Sequence, residues 1–257
     1  FNSDPDVINN IKKSRILPYH WDDKDKLKKD YTFLEDIYEK KLLDCAYSLN
    51  KIHNTEKDIR YWRILIGPWL KIFIDSIFDR YECIRMAHDI DDSFLYTVHD
   101  YSDDLSAVDF HDFYEKLTSD LWNEIIFSEC IKAQNISYQR SSKNLKFNVV
   151  SSIKKTKANY YLTKLIYFYQ YLISRFKRKI AIISPYIQHS QSIKLQLSLK
   201  SLPFIISPEL IHRLKEVDNN KRKQLIFQKT DTDSCFESFL NIQIQKNIPK
   251  AYIESYA

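Results

Sequence analysis

Residues 61–70 read Tyr61-Trp62-Arg63-Ile64-Leu65-Ile66-Gly67-Pro68-Trp69-Leu70, a stretch that holds two of the four tryptophans and the only glycine in 257 residues. Gly-Pro is a break signal: proline cannot continue a helix that precedes it, yet its fixed φ suits the first turn of a new one. A helix is therefore expected to start at Pro68. From there Trp69, Leu70, Ile72, Phe73, Ile74, Ile77, Phe78, Tyr81 and Ile84 recur at helical spacing, with Lys71, Asp75, Asp79 and Glu82 on the opposite stripe. That is an amphipathic helix running to about Met86. Upstream, Arg60 and Arg63 fall on one helical face, and two guanidiniums beside the break suit a phosphate or a carboxylate. The plainer alternative is that both pair with acidic side chains of neighbouring helices.

Working outward toward the N-terminus, Ser14 to Tyr19 reads as an extended segment, and Trp21-Asp22-Asp23 offers an aspartate N-cap. Leu27, Tyr31, Leu34, Tyr38, Leu42, Cys45 and Leu49 then repeat every three to four residues, predicting a helix of about 24 residues. Asn50 to Lys57 is a polar loop that returns the chain antiparallel.

In the other direction, residues 88–111 are irregular and acidic, with His88, His99 and His111 interleaved among aspartates. Carboxylates and imidazoles suit a divalent ion, but the spacing matches no known cage and helix caps explain the aspartates more simply, so no metal is expected. Asp112 or Ser119 caps the next helix, with Trp122 in its apolar face. Residues 135–157 read as a surface loop with one short strand at 147–150, and 158–175 as an aromatic helix. Lys179 to Tyr186 is a short apolar run between a helix and a polar turn, the pattern of a buried parallel strand. Ligands collect at the carboxyl ends of such strands, which makes Ser184, Tyr186, Gln188 and His189 candidate ligand contacts. Short helices are expected over 191–217 and 236–244.

Three motifs carry a resemblance. YWRILIGPWL, followed by Phe78-Asp79-Arg80, resembles the signature of a family of large transferases found in bacterial surface-polysaccharide loci. Pro18-Tyr19-His20-Trp21-Asp22-Asp23 looks like the family's upstream motif. Ile248-Pro249-Lys250-Ala251-Tyr252-Ile253-Glu254-Ser255-Tyr256 is similar to the box that closes its first half, with Ser255 where the family usually has glycine. The resemblance spans nearly the whole chain and about half of a member. It implies a nucleotide-sugar transferase with two facing α/β domains (GT-B-like). Residues 1–257 are then the single N-terminal domain: α/β, helix-dominated, with a small parallel sheet, the donor-binding half being absent.

Composition sets outer limits. With 44% of its residues hydrophobic and 14% aromatic, the chain is globular rather than disordered. Net charge is +5, from 39 basic and 34 acidic residues. The basic excesses at 143–157 and 175–179 alternate with apolar residues, so no nucleic-acid partner is expected. Cys45, Cys83, Cys130 and Cys235 are far apart with no C-x-x-C, which points away from zinc and disulfides and toward a reducing cytoplasm. No apolar run approaches the roughly 20 residues that span a bilayer. A single glycine also rules out G-x-G-x-x-G and Walker loops in these residues. No cofactor is therefore assigned to this chain, and the nucleotide-sugar donor is expected in the absent half.

The best candidate for chemistry is the Pro-Tyr-His-Trp-Asp-Asp motif. His20 is placed as general base on a saccharide acceptor's hydroxyl, with Asp22 or Asp23 orienting the ring. Trp21 and Trp69 suit stacking on a sugar face, and Arg60, Arg63 and Arg80 suit anionic groups, with Gly67 at the centre of the break. The rival from another class is a non-catalytic helical interaction module, whose mark would be a flat apolar patch in place of a concave cleft.

Overall fold

The computed structural model describes residues 17–99, 101, 106–141, 189–199, 216–228 and 234–256. Helix α1 (Lys24–His53) starts where the Asp23 carboxylate accepts the backbone N–H groups of Asp25 and Lys26. It runs 30 residues, longer than its apolar repeat suggests, and ends at Asn54, whose left-handed backbone (φ 51°) closes the C-terminus. The side chain of Asn50 ties the turn that follows: its amide oxygen accepts from Thr55 Oγ1, Lys57 N and Trp62 Nε1, and its NH2 group donates to the Lys57 carbonyl.

Helix α2 (Ile59–Leu65) is capped by Asp58. After Ile66 alone, α3 (Gly67–Ile90) begins, with Gly67 as its first residue and Pro68 in the first turn. The break is narrow, since Ile66 N still reaches the Trp62 carbonyl at 2.8 Å and Leu70 N the Ile66 carbonyl at 2.9 Å. Strand β1 (Tyr96–Val98) lies inside the stretch expected to be irregular. Two helices follow where one was expected: α4 (Phe110–Leu117), capped by Asp109, and α5 (Asp120–Ala133), capped by Ser119. Strand β2 (Tyr138–Arg140) then pairs parallel to β1, with Tyr96 opposite Tyr138 and Val98 opposite Arg140. The architecture is thus α/β, helix-dominated, with a two-stranded parallel sheet. The strands are not the one expected at 179–186; that run, the strand at 147–150 and the helix at 158–175 lie outside the described residues.

The chain divides into two units, residues 1–147 with 213–257 and residues 148–212. Of the second, the described part is helix α6 (His189–Ser198). The first unit is completed by the single turn α7 (Asn219–Arg222), by α8 (Cys235–Asn247), started by a reciprocal Ser234–Glu237 capping box, and by a 3-10 turn over Lys250–Tyr252. Helix α3 packs on α1, α2, α5 and α8. Trp62, Trp69 and Trp122 are fully buried in this core. Trp69 stacks on Phe73 at 5.1 Å, and Phe113 bridges edge-on between Trp69 and Trp122. Val98, Ile131 and Ile136 form a smaller cluster under the sheet.

The closing box is bound to the rest of the unit at several points. Lys250 N and Ala251 N donate to the carbonyls of Ala107 and Val108, His53 Nε2 meets the Tyr252 carbonyl, and the Tyr256 ring stacks on His53 at 4.0 Å. Ser255 fits without strain, because the only non-glycine residues with positive φ among those described are Asn54 and Asn135. Arg222 and Glu254 form a buried bidentate pair, with side chains 4% and 3% exposed and N···O distances of 2.7 and 3.0 Å.

Candidate functional site

His20 precedes α1 in a turn closed by the bond from Asp22 N to the Tyr19 carbonyl, and its ring is packed against Trp21 and Phe78. The residue is 3% exposed. Its Nε2 lies 3.1 Å from Asp79 Oδ1 on α3, so the carboxylate that orients the ring is Asp79. Asp23 caps α1 instead, and Asp22 accepts weakly from Tyr19 N at 3.4 Å. Asp79 gathers two further donors: the Tyr19 hydroxyl at 2.7 Å on Oδ1 and Arg80 Nη1 at 2.8 Å on Oδ2. Burial and the bond to Asp79 raise the Tyr19 phenol, which keeps it a donor. The two motifs, 60 positions apart, thus meet on one carboxylate.

Trp21, which donates from Nε1 to Asp30, belongs to the wall of this cluster and stacks on Phe78 at 6.3 Å. Behind it Glu82 takes Lys26 at 2.9 Å and accepts two bonds from Arg85, Nε to Oε1 and Nη2 to Oε2. Burial opposes ionisation of Glu82, but the hydrogen bonds from Arg85 and Lys26 outweigh it and hold the carboxyl below the usual range.

His20, Asp79 and Cys83 bring one ligand atom each within 4.8 Å of one another, the one such group of three among the described residues. Burial, then the Asp79 charge, push the Cys83 thiol up to about 11. A soft divalent ion would have to strip that proton and compete with Tyr19 and Arg80 for Asp79. As they stand, His20 and Asp79 are hydrogen-bonded to each other and Cys83 lies beside them as a protonated thiol.

Arg80 carries the cluster toward the sheet, because its Nε donates to Asn123 Oδ1 on α5 at 3.1 Å. Asn123 is itself fixed by bonds from its NH2 group to the carbonyls of Leu117 and Ser119. It lines a hollow of about 500 Å³ beside the carboxyl end of β1, together with Thr97, His99, Asp120, Glu124 and Phe127. His99 Nε2 stands 2.8 Å from Glu124 Oε1, and its backbone N–H is held by Ser128 Oγ.

The other expected positions scatter. Arg63 forms a bidentate pair with Glu39 on α1, both N···O distances 2.6 Å, which is the neighbouring-helix pairing named as the alternative. Arg60 is exposed on α2. Gly67 and Trp69 are buried, the former against Tyr38 and the latter in the aromatic core. His189 opens α6 in the second unit; Ser184, Tyr186 and Gln188 lie outside the described residues. Of the described aspartates in 88–111, Asp91 accepts from Ser93 in a turn, Asp109 caps α4 through Asp112 N, and Asp89 pairs with Arg85 on α3.

Asp79, Asn123 and Glu124 are not among the candidates read from sequence, and His99 enters there only among the histidines weighed as metal ligands. Asp79 had a signal, its place in Phe78-Asp79-Arg80, but was read as part of a solvated stripe. Asn123 and Glu124 sit in an ordinary amphipathic helix and carry none.

Among the described residues no helix is long and apolar enough to cross a membrane. No curated protein and no solved structure matches the sequence. The LIC12162 family transferase description matches it over residues 2–257. A match across all but the first of its residues shows that the chain belongs to the LIC12162 family of transferases.

Proposed function

We propose that this chain is the acceptor-side half of a glycosyltransferase that moves a sugar from a nucleotide-activated donor in bacterial surface-polysaccharide biosynthesis. In this reading a second, GT-B-like domain holds the nucleotide, and the protein works in the cytoplasm. The observation that supports it most is the meeting of His20 and Tyr19 with Asp79 and Arg80, two separate stretches of the sequence on one carboxylate.

The acceptor hydroxyl must lose its proton as its oxygen bonds to the anomeric carbon and the nucleotide leaves with the electron pair of the broken bond. His20 takes that proton, and Asp79 fixes the ring and balances the imidazolium that forms. Tyr19, 44% exposed and packed against His20 at 4.9 Å, shields the ring until an acceptor displaces it. Arg80, held on Asp79 Oδ2, is the guanidinium on this side of the site.

The experiment is a transfer assay on the full-length protein with a panel of nucleotide sugars. Asp79→Asn and His20→Gln are expected to lower turnover by about 10²–10⁴-fold, whereas Asp22→Asn leaves it near wild type. Turnover unchanged in Asp79→Asn, with the protein folded, overturns the assignment.

A further inference from the structure

We propose that the hollow beside β1 seats an uncharged sugar ring, the acceptor's, with Glu124 as its principal hydrogen-bond acceptor and His99 as the residue that positions Glu124. The identification of the ring as the acceptor rests on the glycosyl-transfer reading above; the binding of a neutral ring does not.

The charge of the wall narrows the ligand class. Asp120 and Glu124 contribute carboxylates, and among the described residues no lysine or arginine lines the hollow. Phosphates, nucleotides and acidic sugars would meet like charge without compensation. The guanidinium behind the wall, Arg80, is already engaged by Asn123 and Asp79. A divalent ion is also disfavoured, since the one group of three side chains within metal-ligating reach among the described residues is His20, Asp79 and Cys83, not this one.

The remaining chemistry fits a polyol. Carboxylate oxygens ask for O–H donors, which a pyranose presents along its edge in fixed geometry, while Phe127 and Ile131 supply an apolar surface for its C–H face. At about 500 Å³ the hollow falls within the range of small-molecule sites. Glu124 is held in place beforehand: His99 Nε2 is 2.8 Å from it, and Ser128 anchors the His99 backbone at 3.2 Å. A carboxylate fixed before the ligand arrives loses little side-chain entropy on binding. Through Asn123 and Arg80 the same wall is tied to the carboxylate that holds His20, so a ring bound here touches one end of that hydrogen-bonded network.

The test is saturation-transfer NMR on the chain with methyl glucoside, methyl galactoside, N-acetylglucosamine and galacturonate as probes. At least one neutral pyranoside is expected to receive saturation, and galacturonate none. Glu124→Gln, a conservative change at an exposed position, should weaken that binding about ten- to a hundredfold without moving the melting temperature. His99→Gln, which can still donate to Glu124, should retain more of the binding than His99→Ala. Absence of saturation for every neutral probe, equal binding of galacturonate, or binding unchanged in Glu124→Gln overturns the site. Neutral-sugar binding that depends on Glu124 in a full-length protein without transfer activity supports the site and counts against the reaction. Transfer that survives Glu124→Gln with an unchanged acceptor KM counts against the site alone.

Discussion

The Tyr38 hydroxyl on α1 occupies the space that a side chain at position 67 would need: a Cβ built on Gly67 would lie 2.7 Å from it. The one glycine of the chain is therefore selected by a close approach between helices and not by a backbone angle, since Gly67 has no positive φ. Gly67→Ala gains roughly 1 kcal/mol of helix propensity but must displace a buried ring, at about 1–3 kcal/mol. The expected net loss is about 0–2 kcal/mol by urea unfolding. In a Tyr38→Phe background the nearest Tyr38 atom is the ring carbon Cζ at 3.9 Å, and most of the loss should vanish. An equal loss in both backgrounds would show that the contact is not the cause.

The Arg222–Glu254 pair is buried on both sides, and Arg222 Nη1 also donates to the carbonyls of Gln245 and Lys246 at the end of α8. Glu254→Ala leaves an uncompensated guanidinium in the core and should cost about 3–5 kcal/mol. The double change Arg222→Met with Glu254→Leu should cost less than Glu254→Ala alone. Chemical denaturation of the two variants decides; a double variant as costly as Glu254→Ala would contradict the buried-pair account.

Glu82 is held ionised by Arg85 and Lys26 against the cost of burial, so its folded pKa lies below its unfolded one. Its contribution to stability is present above the ordinary glutamate range and is lost as pH falls through the folded value. Melting temperatures followed down through the acid range should drop, and the drop should be shallower in Glu82→Gln. Parallel curves would remove Glu82 from the explanation.

Thiol reactivity should follow burial. Cys235 is exposed, whereas burial pushes Cys83 up to about 11 and Cys45 up to about 12. Because the thiolate is the reactive form, iodoacetamide at mildly alkaline pH is expected to modify Cys235 first, then Cys83, with Cys45 protected until urea is added. Peptide mass spectrometry gives the order, and early labelling of Cys45 would contradict the packing of α1.

Local features of the fold were legible in sequence where local chemistry decides them. The Asp23 cap, the helix after Gly-Pro and the helix before the closing box all follow from residues within one turn of each other. Strand β1 was not, because three residues, Tyr96-Thr97-Val98, are too few to show an alternating pattern. The site was legible only in part. His20 was chosen for its motif, but its partner is 59 positions away, and nothing in the spacing distinguishes Asp79 from the adjacent Asp22 and Asp23. The two nearer carboxylates are drawn off by local backbone N–H groups, a demand that only the folded turn makes visible.

The closing box has a consequence for synthesis. His53 finds its partner, the Tyr252 carbonyl, 199 positions later, and residues 148–212 are translated in between. At about 5–20 residues per second, the ribosome delivers the second contact roughly ten to forty seconds after the first. During that interval Trp62, which the Tyr256 ring contacts at 5.7 Å, and Trp69, which Tyr252 contacts at 6.3 Å, lack those neighbours. The nascent helices α1–α3 are therefore a natural client for a chaperone, and slowing translation before residue 248 should lengthen their exposure.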